Sequence, residues 1–199
     1  MGQRIFSAII AFLIFIPIFI IGGNLFNLCL YIITLLGVRE ILKVKEKEKK
    51  YPDFIRLISY LAITFLYFNN ILNEDMSFII DYRLIAGLFL MLFIPVMFYH
   101  NKKIYNAEDA FQLLGRLFFI GFSMSLFMMY RNLGLEYIIF LFLITIITDS
   151  FAYFTGRLIG KNKLLESISP NKTWEGTIGG SLVATFVCTT YYLTVIDPT

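Results

Sequence analysis

The stretch from Asp149 to Gly180 reads D-S-F-A-Y-F-T-G-R-L-I-G-K-N-K-L-L-E-S-I-S-P-N-K-T-W-E-G-T-I-G-G, and the rest of the chain is read from it. A hydrophobic run carries one acid, Asp149, at its end. The chain then turns polar for about twenty residues and enters a second hydrophobic run through Gly176, Gly179 and Gly180. The polar part holds Arg157, Lys161, Lys163 and Lys172 beside Ser167, Ser169, Asn171 and Thr173. Cations with hydroxyl and amide donors are what a phosphate group needs. If Pro170 occupies a first helical turn, Ser169 is its N-cap, and the helix turns free N–H groups toward the loop as an anion site.

Outward from this stretch the chain is apolar. Of 199 residues, 58% are hydrophobic and 18% aromatic, and the mean hydropathy is +0.76. Soluble domains rarely approach this, so a membrane class follows from composition. Seven runs have a length suited to a bilayer core, near Ile5–Ile21, Leu25–Leu42, Phe54–Leu72, Arg83–Tyr99, Leu113–Tyr130, Leu135–Phe154 and Gly176–Ile196. Backbone groups in lipid must pair within their own segment, so the expectation is an all-α integral membrane protein, a polytopic bundle of about seven transmembrane helices. One membrane domain, 1–199, is expected, with scaffold spans in 1–100 and the chemical part in 101–199, where the loop 155–175 lies. The first run has Arg4 before it, as a signal peptide would. It is long, holds Pro17 and meets a second run almost at once, so a retained helical hairpin is the reading. Position six is Phe, which gives no support for myristoylation. Cys29 and Cys188 lie inside runs and read as apolar packing residues.

Charge gives an orientation. With seven spans and short loops, one side collects fifteen of the 17 basic residues, and the other holds only Arg83 and Arg131. The positive-inside rule then places the N-terminus and the loop 155–175 in the cytoplasm, with a cell (inner) membrane as the location. The basic run Lys43 to Lys50 reads as a solvated loop near anionic headgroups. No aromatic platform accompanies the cations, so a nucleic acid partner is not expected. Lone His100 reads as an interfacial surface residue. Ala107-Glu108-Asp109-Ala110 reads as a helix start, its acids favoured by the helix dipole.

S-P-N-K-T-W-E-G-x-x-G-G, preceded by D-x-x-A-Y-x-x-G-R-x-x-G-K, closely resembles the CDP-diacylglycerol synthases, also called phosphatidate cytidylyltransferases. The resemblance implies an enzyme of phospholipid biosynthesis. It transfers a cytidylyl group from CTP to phosphatidate, giving CDP-diacylglycerol and pyrophosphate. Lys172 and Asp149 are its catalytic candidates, and Asp149 is also the candidate ligand for Mg2+ as the divalent cation. Arg157, Lys161, Ser169, Pro170, Asn171, Thr173, Glu175 and Gly176 are the substrate-binding candidates. CTP, phosphatidate and the lipid bilayer are the expected partners, with a homodimer as the candidate assembly. The family carries a second signature nearer its C-terminus, a K-D-x-G-type stretch followed by H-G-G and D-R-x-D, whose acids bind the catalytic metal. These 199 residues do not contain it, so the expectation is a shortened form without transferase activity of its own.

Several residues carry two readings. Asp149 either ligates the cation or pairs with Arg157 as a structural lock. Glu175 serves the substrate, or Lys172, or the helix start. Trp174 either anchors at the interface or stacks on a cytosine ring. Gly176 either lets a backbone approach a ligand or, like Gly180, lets helices pack tightly. G-R-L-I-G-K is one residue short of a P-loop and has Asn162 where Ser or Thr belongs, so that motif is rejected. Two other functions stand as alternatives. One is a CTP-dependent lipid kinase acting on a polyprenol or diacylglycerol. The other is a non-enzymatic transporter, which calls for polar residues along several mid-membrane faces.

Overall fold

The computed structural model describes residues 2–46, 51–68, 82–99 and 104–198. Among them stand seven α-helices: α1 Gly2–Ile21, α2 Gly23–Glu46, α3 Asp53–Phe68, α4 Tyr82–Phe98, α5 Ala107–Leu133, α6 Leu135–Ile159 and α7 Trp174–Tyr191. A two-stranded antiparallel hairpin, β1 Lys163–Leu165 and β2 Ser169–Thr173, joins α6 to α7. One wider π-helical turn, Tyr192–Ile196, continues α7. Each apolar run of the sequence falls on one helix, so the all-α polytopic membrane class is what the chain has. Four helical stretches among the described residues are long and apolar enough to cross a bilayer: Gly23–Val44, Ala107–Leu133, Leu135–Ile159 and Trp174–Ile196. Helix α4 is a shorter apolar helix. Helix α3 reaches Phe68, and the expected remainder of its run, to Leu72, lies outside the described residues. So do most of the basic run after Glu46, His100, and the outer acids Glu74, Asp75 and Asp81.

The chain divides into two compact units, Met1–Asn132 and Leu133–Thr199. In the first, α2 to α5 share a buried core that includes Val38, Ile55, Leu92 and Leu117. Helix α5 starts where the sequence places a start. Asn106 Oδ1 accepts from the Asp109 N–H at 2.9 Å, and Asp109 Oδ2 accepts from the Asn106 N–H at 3.1 Å. This reciprocal pairing satisfies two donors that a helix start leaves over.

The end of α1 is closed from a distance. Gly22 takes φ +68°, the left-handed conformation that ends many helices. Arg131, in the last turn of α5 and only 9% exposed, donates from Nε to the Phe19 carbonyl and from Nη2 to the Ile20 carbonyl, each at 2.7 Å. Its guanidinium also lies 5.8 Å from the Phe19 ring centroid. The sequence places Arg131 in an outer loop. It is instead buried, because the final carbonyls of α1 have no partner within their own helix.

In the second unit α6 and α7 run antiparallel in close contact. A side chain at Gly180 would meet the Thr148 carbonyl at 2.7 Å, and one at Gly176 the Ala152 carbonyl at 2.6 Å. Where no hydrophobic force draws helices together in lipid, small residues of this kind allow the backbones to approach. The contact is close enough for Thr155 Oγ1 of α6 to donate to the Gly176 carbonyl at 3.2 Å.

Candidate active site

Helix α6 does not stop at Phe154, where the apolar run thins. It continues to Ile159, so the first residues of the expected loop 155–175 are helical. Asp149, Tyr153 and Arg157 recur every fourth residue and therefore share one face of α6. All three are exposed. Arg157 Nη1 donates to the Tyr153 hydroxyl at 3.2 Å. The lock between Asp149 and Arg157 is not formed: they stand eight residues apart, about 12 Å along the axis, and Arg157 has turned to Tyr153 instead. Asp149 has no hydrogen bond or ion pair among the described residues.

Gly160 ends α6 with extended backbone, its N–H donating to the Gly156 carbonyl at 3.1 Å. The hairpin follows, with Lys163 opposite Thr173 and Leu165 opposite Ser169. Ser169 and Pro170 are thus strand residues, not a helix N-cap and first turn. Pro170 has the φ of extended chain available to it and lacks only a donor, which an edge strand tolerates. The helix begins four residues later. Thr173 is its N-cap, Oγ1 accepting from the Gly176 N–H at 3.2 Å. The Trp174 N–H donates to the Asn162 carbonyl at 3.0 Å. The first N–H groups of α7 are therefore partly spent within the protein, and the anion site expected there is not open. Positive charge at this end comes from side chains.

Four cations surround the hairpin. Lys163 Nζ donates to the Pro170 carbonyl at 2.6 Å and is tied across the strands. Arg157 is held by Tyr153. Lys161 and Lys172 are exposed, and their ammonium groups have no partner among the described residues. Asn171 is also exposed, while Thr173 is buried at the base. Glu175 turns away from Lys172. Its Oε2 accepts from the Lys161 N–H at 3.2 Å, and its Oε1 accepts from Asn162 Nδ2 at 2.7 Å. Gly176 is buried against α6, where its missing side chain admits the Ala152 carbonyl and the Gly156 Cα. Trp174 is about half exposed, as an interfacial ring would be. G-R-L-I-G-K forms the end of a helix, with no strand before it, which agrees with rejecting a P-loop.

Asp149 lies deeper than the hairpin. Its neighbour Thr148 faces Gly180, one turn further along α7 than Gly176. Below that level a groove of about 420 Å³ opens between α6 and α7, lined in part by Ile144, Thr148, Ala184 and Cys188. Asn162 and Tyr153 hold site residues in place; in the sequence Asn162 counted only against a P-loop and Tyr153 only as the last letter of D-x-x-A-Y, with no role for either. The only available signal for Asn162 was its position two residues after a helix-ending glycine, where Asn commonly bonds backbone.

A multi-pass membrane protein with a cationic hairpin at the end of a close helix pair is suited to hold an anionic group at the bilayer surface. The chain belongs to the cytidylyltransferase family, whose model matches residues 2–199. It is similar to proteins named phosphatidate cytidylyltransferase. The one from Staphylococcus epidermidis is 37% identical over 187 residues, covering 94% of this chain and 70% of that protein. The one from Staphylococcus haemolyticus is 35% identical over 193 residues, with the same two coverages of 94% and 70%. The one from Staphylococcus aureus is 33% identical over 180 residues, covering 90% of this chain and 67% of that protein. No solved structure matches the chain.

Proposed function

We propose that this chain supplies the substrate-holding part of an enzyme that transfers a cytidylyl group from CTP to phosphatidate, leaving CDP-diacylglycerol in the bilayer and releasing pyrophosphate. One observation carries the reading: the hairpin groups Arg157, Lys161, Lys163 and Lys172 at the membrane end of α6 and α7, in a chain whose relatives are named for this reaction. The kinase and transporter alternatives have no comparable support.

The chemistry asks little covalent work of the protein. An oxygen of the phosphatidate phosphate bonds to the α-phosphorus of CTP. The bond from that phosphorus to the bridging oxygen of the β-phosphate breaks, and its electron pair leaves with pyrophosphate. Two anionic groups must be brought together, so positioning and charge stabilisation dominate. Lys172 and Lys161, with free ammonium groups, and Arg157, held at one donor by Tyr153, supply that charge. The phosphatidate headgroup reaches them from the bilayer, and the groove below Thr148 offers an apolar path for acyl chains.

Among the described residues no three His, Cys, Asp or Glu side chains gather as a metal centre. Magnesium commonly takes only one or two carboxylates and fills its shell with substrate oxygens and water. Exposed Asp149 fits that sparse use and is the proposed ligand. The ion, when bound, would neutralise phosphate charge. The proposal also sets the N-terminus and hairpin in the cytoplasm, supported by fifteen of the 17 basic residues falling on that side.

Position-labelled CTP tests the reading with full-length protein, phosphatidate and magnesium in detergent. Label at the α-phosphorus should enter the lipid product, and label at the γ-phosphorus should leave in pyrophosphate. Lipid labelled only from the γ position would establish a kinase and overturn the assignment.

A further inference from the structure

We propose that Asn162 and Glu175 form a clasp that positions the cationic hairpin, with Glu175 acting as a positioning residue and not as a ligand of substrate or metal; the inference rests on the transfer reaction proposed above. Glu175 Oε2 accepts from the Lys161 N–H at 3.2 Å and from the Asn162 N–H at 3.3 Å. Oε1 accepts from Asn162 Nδ2 at 2.7 Å and from the Asn162 N–H at 3.3 Å. The partner segment lies 13 and 14 residues upstream, across the whole hairpin. Asn162 answers in the other direction, its carbonyl accepting from the Trp174 N–H at 3.0 Å. Next to this exchange the strands begin, Lys163 opposite Thr173.

An acid in the first turn of a helix needs no partner to be favourable there. This one has both oxygens engaged by a segment outside its helix. Hydrogen bonds to an ionised acceptor are the stronger kind, so the clasp fixes where the hairpin leaves α6 and re-enters α7. Lys161 gives its own N–H to the clasp, Lys163 follows Asn162 directly, and Lys172 precedes Thr173, the residue opposite Lys163. The placement of all three ammonium groups therefore depends on the bonds between Asn162 and Glu175.

The chemistry of the pair supplies a test that a ligand role fails. Gln at 175 keeps one acceptor oxygen for the backbone donors, and the Asn162 amide can turn over to accept from its new NH2 group. Asp at 162 sets two carboxylates face to face, and Gln at 175 relieves them. In full-length protein, Glu175→Ala and Asn162→Asp should each lower the transfer rate about ten-fold or more. Glu175→Gln should stay within roughly three-fold of wild type, and the double variant Asn162→Asp/Glu175→Gln should regain most of what Asn162→Asp lost. The magnesium concentration giving half-maximal rate should not move in Glu175→Gln. Trypsin gives a readout independent of catalysis: cleavage after Lys161, Lys163 or Lys172 should speed up in Glu175→Ala and Asn162→Asp, and return to wild type in the double variant. A Glu175→Gln protein as inactive as Glu175→Ala, or one with a raised magnesium requirement, overturns the clasp in favour of a ligand. Wild-type protein that makes no CDP-diacylglycerol would instead overturn the functional reading, while the trypsin pattern would still score the clasp.

Discussion

Replacing Gly176 by Ala probes the joint on which the hairpin stands. The new Cβ would lie 2.6 Å from the Ala152 carbonyl oxygen and 3.0 Å from the Gly156 Cα. Both are backbone atoms of α6, so no side chain can swing aside. Ordinary contact begins at 3.4 Å, and α6 and α7 must part locally by the difference, 0.8 Å. Forcing an extra methyl into a filled contact costs about 1–3 kcal/mol. Alanine is also the better helix former by about 1 kcal/mol, so any net loss of stability is a lower bound on the clash. The parting moves Thr155, the Thr173 cap and the hairpin together. A misplacement near 1 Å can cost about a hundred-fold in rate, and we expect transfer to fall roughly ten- to a hundred-fold with a lowered thermal midpoint. Gly115→Ala in α5 is the control, since nothing lies within 4 Å of its added Cβ. The assay is CDP-diacylglycerol formation alongside a melting curve in detergent. Gly176→Ala matching Gly115→Ala in both would refute the close joint between α6 and α7.

Lys172→Ala should cut transfer about ten-fold or more, the loss of a contact between a charged donor and a phosphate being worth about 1.5–3 kcal/mol; near-wild-type turnover would remove Lys172 from the site. Asp149→Asn should raise the magnesium concentration needed for half-maximal rate, and an unchanged requirement would place the metal elsewhere. Gly22→Ala meets both a φ of +68° and the Arg131 guanidinium 2.5 Å from the new Cβ, so it should destabilise the protein by about 1–3 kcal/mol, read as a lower melting midpoint with no shift in the KM for CTP. Lys163→Cys, in a background lacking Cys29 and Cys188, should resist an impermeant thiol reagent applied to intact cells; ready labelling from outside would reverse the proposed orientation.

The helices were legible because length and hydropathy are enough to place them when the solvent is lipid, and the start of α5 was legible because Glu108 and Asp109 stand where the helix dipole favours acids; the Asn106 pairing that closes it was not read. The hairpin was not. K-L-L and S-P-N-K-T show no apolar alternation, and Ser-Pro more often opens a helix than sits in a strand. What makes them strands is their closure by Asn162 on one side and Thr173 and Glu175 on the other, more than ten residues further on, a pairing no local pattern encodes. The motif around Lys172 marked where the site lies. It did not say that Glu175 faces Asn162, or that Arg157 turns to Tyr153, because both choices depend on where α6 ends. That end lay at Ile159 and not at Phe154, since a polar residue at a membrane surface stays helical as readily as it leaves the helix.

The bond from Arg131 to the end of α1 also has a meaning in time. Its two acceptors lie 112 and 111 residues earlier in the chain. At synthesis rates of about 5–20 residues per second, that separation is about 6–22 s of translation. During this interval the Phe19 and Ile20 carbonyls lack the donors that Arg131 later brings. The first helix to be made is thus among the last to be completed, and an Arg131 variant should reveal itself first in newborn chains, as early turnover of α1, before any defect in the mature protein can be measured.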